Sequence, residues 1–180
     1  MSDRLAPDTA MGAVTLRVAQ LDAMIRYYTR AVPLTVLRHD GARAVLGRGT
    51  TPVLVLEHSP ELRHASPHDA GLFHTAILFD TQEALAATLA SVASRAPQTY
   101  VGSADHLVSE AFYLTDPEGN GVELYWDRAR ELWGYDEQGR VQMDSLRLDP
   151  NAFIQGHVTE AALAAPTPAE QEPIRLFPLP

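Results

Sequence analysis

The sequence predicts an α+β fold: two paired βαβββ modules forming a curved β-sheet cup with helices outside. Three observations predict it. A strand, a helix and three further strands can be read over residues 12–58, and the same order begins again over 72–127. Residues 12–18 match 73–79 in position, and 53–57 match 121–125, so the chain carries an internal repeat. Finally, residues 116–121, Asp-Pro-Glu-Gly-Asn-Gly, pack fixed-φ and positive-φ residues between two apolar runs, the pattern of a tight β-hairpin.

The elements follow in order after a tail over residues 1–11. In the first strand Val14, Leu16 and Val18 alternate with Ala13, Thr15 and Arg17, as expected when one face is covered. Leu21, Met24, Ile25, Tyr28 and Val32 recur at helical spacing, and Pro33 marks the exit into a strand over 34–38. Strands near 42–46 and 53–57 complete the first module. Pro60, Pro67 and several polar groups make 59–71 an exposed linker.

In the second module a strand starts at His74, residues 80–83 suit a helix cap, and Leu85, Leu89 and Val92 share one helical face. A short strand near 99–101 precedes the hairpin. Residues 128–160 are expected to dock on the body through Trp133 and Tyr135, with one helical turn at 149–154. Residues 161–180, rich in Pro, Ala and Glu, are expected to be mobile.

Composition narrows the function. The 180 residues are 46% hydrophobic, enough for one substantial core. Fourteen basic against 23 acidic residues give a net charge of -9, and no basic stripe is present to neutralise phosphates, which argues against nucleic acid as a partner. No apolar run approaches a membrane span and the first residues lack a secretion signal, so a cytoplasmic protein with no membrane partner is expected. With no cysteine, any metal must be held by His and carboxylates. Walker loops, dinucleotide glycine patterns, nucleophile elbows and HExxH motifs are absent, which weakens phosphoryl transfer, hydride transfer and serine hydrolysis.

The most informative stretch is 106–123. If the turn centres near Glu118, Tyr113 faces Glu123 across the ladder, and alternation puts both on one side of the sheet while Val122, Leu124 and Trp126 take the other. A phenol and a carboxylate then share a surface, with Glu123 interrupting an apolar strand as an inward-facing ligand would.

These residues resemble the vicinal oxygen chelate superfamily, which includes glyoxalase I, bleomycin-resistance proteins and extradiol dioxygenases. His106, Phe112-Tyr113, Asp116-Pro117, Gly119 and Glu123 fall at the spacing of the extradiol ring-cleavage motif, with Ala104 as the one mismatch. Residues 71–77 and 105–111 are similar to the amino-terminal half of bacterial catechol 2,3-dioxygenases of the two-domain type. The resemblance implies a catechol-type vicinal diol as substrate, Fe(II) or sometimes Mn(II) held by two histidines and a carboxylate, and a possible homodimer. By position, His74 and Glu123 match metal ligands, His106 a histidine that assists proton transfer, and Tyr113 a tyrosine that orients the substrate oxygen.

The second expected histidine is missing, because Ala13 stands in its place. Glu57, two residues beyond Val55 on the same strand face, is a candidate third ligand, and His58 a weaker one.

Plainer roles stay open beside these: a core histidine for His74, an ion pair of Glu123 with Arg17, a loop cap with Asp105 for His106, and simple packing for Tyr113. The leading expectation is a metal-dependent extradiol dioxygenase. The alternatives are a metal-free small-molecule binding protein of the bleomycin-resistance type, and a glyoxalase-like lyase or isomerase, for which Zn or Ni would be the metal. The last is weakened by Ala13 and Val55 at both first-module ligand positions.

Overall fold

A computed structural model describes residues 6, 9–66, 68–159 and 176–177. The first module runs β1 (Val14–Val18), α1 (Leu21–Arg30), β2 (Thr35–His39), β3 (Arg43–Arg48) and β4 (Thr51–His58). The second runs β5 (His74–Leu78), α2 (Gln82–Arg95), β6 (Tyr100–Asp105), β7 (Ser109–Thr115) and β8 (Gly121–Asp127). Each forms a mixed sheet in which the first strand lies parallel to the last: the orders are β1-β4-β3-β2 and β5-β8-β7-β6. A two-residue strand, β9 (Leu146–Arg147), adds to the free edge of β6, and α3 (Pro150–His157) follows it. The fold is therefore the α+β architecture expected, two repeated modules with open sheets.

Alternation decides which face is covered. Leu16, Val18, Leu54 and Leu56 of the first sheet, and Ile77, Phe112, Leu114, Val122 and Leu124 of the second, lie in one continuous core with Met24 and Tyr28 of α1 and Leu85, Leu89 and Val92 of α2. The opposite face of β1 and β5, carrying Thr15, Arg17, Ala76 and Leu78, is exposed. Helix α2 is started by Thr81, whose hydroxyl accepts the Ala84 amide at 3.1 Å. Asp149 does the same for α3, accepting from Asn151 and Ala152. Among the described residues no helix is long and apolar enough to cross a membrane.

The β7–β8 turn locks the modules together. The Tyr28 hydroxyl of α1 donates to Asp116 Oδ2 at 3.1 Å, and burial, then the Asp116 charge, push that phenol well above its ordinary pKa. Glu118, with only 4% of its side-chain surface exposed, accepts the Ala19 amide at 3.1 Å and the Gln20 amide at 2.6 Å. Helix α1 has no side-chain cap of its own, so a carboxylate from the other module satisfies donors at its start.

The structure differs from expectation in three places. Strand β6 continues to Asp105, well past the short strand expected near 99–101. Gly102, Ser103 and Ala104 carry no apolar alternation, and pairing with β7 and β9 makes them a strand. Trp133 is half-buried and donates its indole N–H to the Arg128 carbonyl at 2.9 Å, whereas Tyr135 is 54% exposed and does not dock. Most of the tail over 161–180 lies outside the described residues. Within it, however, Phe177 is buried, stacks on Tyr100 with ring centroids 4.6 Å apart, and exchanges two hydrogen bonds with the Asn151 amide.

The Glu118 latch generates a stability prediction. Glu118→Ala leaves two amide donors without their acceptor and is expected to cost about 1–3 kcal/mol. Urea unfolding should show the lower midpoint, and an unchanged midpoint would mean that solvent replaces the carboxylate freely.

Candidate functional site

The register of three strands builds the site. Asp116 Oδ1 accepts the amides of Glu118 and Asn120, each at 2.9 Å, and the Asn120 side chain donates to both Asp116 oxygens at 3.1 and 2.8 Å. Gly119 completes the turn at φ +84, where side chains are strained. The closed turn fixes the pairing Tyr113↔Glu123 on β7 and β8, with Ala76↔Glu123 and His74↔Gly121 on β5 and β8. At Gly121 a Cβ would collide with the Phe73 carbonyl and crowd His74, so glycine lets the start of β5 close against β8. His74, Tyr113 and Glu123 consequently meet on the face opposite the core.

The contacts form a chain of four side chains. His74 Nε2 lies 2.8 Å from Glu123 Oε2, with side chains 27% and 14% exposed. A carboxylate accepts, so His74 Nε2 carries the proton. His106 Nε2 lies 2.8 Å from the Tyr113 hydroxyl, and His106 Nδ1 lies 2.8 Å from the Asp144 carbonyl. A carbonyl oxygen only accepts, so Nδ1 is the protonated nitrogen; in the neutral ring Nε2 is then the acceptor and Tyr113 the donor. The His74 and Tyr113 ring centroids are 6.1 Å apart, which joins the two pairs. Burial above all, and then the nearby Glu123 charge, push the Tyr113 phenol up to about 12. Tyr113 therefore stays protonated through the neutral range.

His74, Glu123, Tyr113 and His106 are thus brought together as two hydrogen-bonded pairs, and Glu57 is not. Its carboxylate sits 3.3 Å from Arg43 Nε on the neighbouring strand β3, and it lines an open cleft of about 510 Å³ with Thr15, Arg17, Leu72 and Asn120. None of the four site residues lines that cleft. His58 is turned to the Ala19 carbonyl at 3.1 Å. Glu123 pairs with His74 rather than Arg17, and Asp105 pairs with Arg128 rather than capping His106.

The donor set can be tested against a divalent ion. His74 Nε2 and Glu123 Oε2 converge closely enough to occupy two adjacent coordination positions, provided the histidine gives up the proton it now donates. Among the described residues no group of three His, Asp or Glu side chains is arranged to hold a metal. Ala13, exposed just ahead of β1, has no donor atom to offer. The residues fit two positions of a metal centre and stop there.

Two contributors escaped sequence reasoning. The Asp144 acceptor is a main-chain carbonyl, for which no residue type gives a signal. The Arg128 guanidinium binds both oxygens of Asp105, at 2.6 and 3.0 Å, and one of Glu110 at 3.2 Å. The only hint of it was the acidic residue beside His106.

The family model described as the Glyoxalase/Bleomycin resistance protein/Dioxygenase superfamily matches residues 10–124, and the chain belongs to that superfamily. A catechol-2,3-dioxygenase of Bacillus subtilis (strain 168) is 33% identical over 156 residues, which is 86% of this chain and 53% of that protein. The chain thus spans about half the length of the curated relative it matches. A glyoxalase/dioxygenase from Nostoc punctiforme superimposes with a TM-score of 0.58 at 17% identity, covering 72% of this chain and 99% of that one. A glyoxalase/bleomycin resistance protein/dioxygenase from Alicyclobacillus acidocaldarius gives 0.54 at 16% identity, covering 71% and 97%. At such identities these two structures show a shared fold.

The electrostatics of Tyr113 can be measured. Its folded pKa lies above the unfolded value of about 10, so the stability it contributes is complete below pH 10 and lost as pH rises toward 12. In Glu123→Gln the charge that opposes phenolate is gone, and Tyr113 should ionise at lower pH. The phenolate absorbance difference between Glu123→Gln and Glu123→Gln/Tyr113→Phe, set against that between wild type and Tyr113→Phe, isolates this one ring. Equal midpoints would show that burial alone sets the value.

Proposed function

We propose that this chain is a catechol 2,3-dioxygenase-like protein that binds a catechol-type vicinal diol over the face carrying His74, Glu123, Tyr113 and His106. The observation that carries this reading is the pair of 2.8 Å contacts, His74–Glu123 between β5 and β8 and His106–Tyr113 between the β6–β7 connection and β7, on one sheet. The 33% identity to a catechol-2,3-dioxygenase supports the same substrate class.

The protein groups account for proton handling. A diol hydroxyl seated against Tyr113 gives its proton to the phenol oxygen while the phenol proton passes to His106 Nε2. The phenol stays neutral, the diol becomes its monoanion, and the ring becomes an imidazolium whose Nδ1 proton rests on the Asp144 carbonyl. A phenol with its pKa near 12 suits this conducting role, since it does not retain a phenolate at neutral pH. Glu123 repels the new anion unless a cation lies between them. A divalent ion held by His74 and Glu123, Fe(II) in this reading, would acidify the diol and bring dioxygen beside it. Ala13 favours a second reading, a binding protein that takes the diol without metal.

The experiment is anaerobic reconstitution with Fe(II), then Mn(II), Zn(II) and Ni(II), followed by metal analysis and oxygen uptake with catechol. Close to one Fe(II) per chain with oxygen consumption is expected, and Glu123→Ala should abolish both. Tyr113→Phe and His106→Gln should keep the metal and lower turnover roughly 100-fold. Catechol binding with no metal retained would replace this reading with the second.

A further inference from the structure

We propose that the excursion over residues 128–149 is the positioning element for His106, fixing its proton on Nδ1 so that the Nε2 lone pair faces Tyr113, with Arg128 as its anchor. The excursion lies beyond residues 10–124, the stretch matched to the superfamily, so it is not part of the repeated modules.

His106 sits in the short connection between β6 and β7. Its amide donates to the Ser109 carbonyl at 2.8 Å, and Leu107 takes φ +69, a left-handed conformation strained for a leucine. Asp105 Oδ1 accepts the Leu107 amide at 2.8 Å and so holds that turn. Asp105 is in turn gripped through both oxygens by Arg128, whose amide donates to the Val108 carbonyl at 2.8 Å. The same guanidinium reaches Glu110, itself held by Gln82 of α2 at 2.6 Å. Arg128 thus ties the turn to the body through Asp105, Glu110 and the Val108 carbonyl.

From Arg128 the chain runs away and returns. Trp133 pins the outward leg, with its indole N–H on the Arg128 carbonyl and the Arg130 guanidinium over its ring at 3.7 Å. The Gln142 amide bonds the Gly134 carbonyl at 2.9 Å and Tyr135 bridges Val141, closing the excursion into a hairpin. The Asp136 side chain accepts the amides of Gln138 and Arg140, which makes the tip self-supporting. On the return, β9 pairs with β6 in the register Asp105↔Leu146 and Ala104↔Arg147. Continued by one residue, that register sets Ser145 opposite His106 and leaves the carbonyl of Asp144, the residue before it, 2.8 Å from Nδ1. A slip of one residue would turn the carbonyl away.

A main-chain acceptor is suited to the task. It cannot donate, so at 2.8 Å it favours the proton on Nδ1 over the alternative offered by the Ser145 hydroxyl, which lies 3.5 Å from the same nitrogen, and it accepts equally well when the ring is protonated on both nitrogens. The consequence for turnover rests on the reading of His106 as the group that takes the substrate proton; the tautomer itself does not.

The test is nitrogen NMR of protein carrying ¹⁵N-histidine, with His106 assigned by His106→Gln. At neutral pH the wild-type ring should show a protonated Nδ1 and an unprotonated Nε2. Arg128→Ala should give a mixture of tautomers, and Arg128→Lys, which keeps the charge but not the two-pronged grip, should fall between. If Arg128→Ala does not fold, Arg128→Lys and Trp133→Phe supply the comparison. A wild-type ring with its proton on Nε2, or folded variants that all retain a single Nδ1-protonated form, would overturn the proposal. A wild-type Nδ1 proton in a protein without oxygenase activity would leave it standing while ending the dioxygenase reading.

Discussion

One buried carboxylate organises the molecule. Asp116 closes the β7–β8 turn through the Glu118 and Asn120 amides and the Asn120 side chain, and reaches into the other module through the Tyr28 hydroxyl. Burial pushes its pKa up, and the hydrogen bonds from Asn120, Glu118 and Tyr28 pull it back, so the residue depends on all of its partners at once. Two consequences follow from that single group. The turn cannot slip, and because a slip of one residue sends every side chain to the opposite face, Tyr113 and Glu123 stay on the open side. The turn also cannot detach from α1, because Glu118, two residues on, is committed to the Ala19 and Gln20 amides.

Much of this was legible in the sequence, for a physical reason. Strand alternation and turn chemistry are local, and Asp116, Gly119 and Gly121 state the turn within a few residues. Once the turn is placed, Tyr113 opposite Glu123 follows by counting. The βαβββ order came from Val14, Leu16 and Val18, then Met24 and Tyr28, whose spacing changes from two to about four as strand gives way to helix. What escaped was non-local or made of main chain. The extension of β6 through Gly102, Ser103 and Ala104 depends on partners on both sides. The seat of Phe177 depends on Asn151, far back in the chain. The carbonyl of Asp144 has no side-chain signature at all.

The expectation for Glu57 shows the limit of alternation as a guide. Alternation places Glu57 on the open face with Val55, and the residue does sit in an open cleft with Thr15 and Arg17. It does not say how far along the strand a side chain must lie to reach a common point. Glu57 is aligned with Arg17 on β1 and Arg43 on β3, so its nearest charges are guanidinium groups of its own sheet. Sharing a face is necessary for chelation and falls well short of sufficient.

The two modules repeat a fold but divide the chemistry unequally. In the first, the open face carries a cross-strand ion pair, Arg43–Glu57, with side chains 45% and 38% exposed, a solvated arrangement that contributes little to stability. In the second, His74 and Glu123 are less exposed and hydrogen-bonded to each other, and Tyr113 and His106 extend the chain toward Asp144. A desolvated carboxylate needs a partner for its charge. In the absence of an ion the protonated Nε2 of His74 fills that need, so the array is stable without metal and its donor atoms are already adjacent. Any cation entering there needs the Nε2 lone pair of His74, so the proton now on that nitrogen has to move to Nδ1 or leave the ring. Replacing Ala13 with histidine would supply the donor type that the first module lacks without touching this array. If the site is a metal centre short of one ligand, that change should tighten the ion; if the face only binds a diol, it should do nothing.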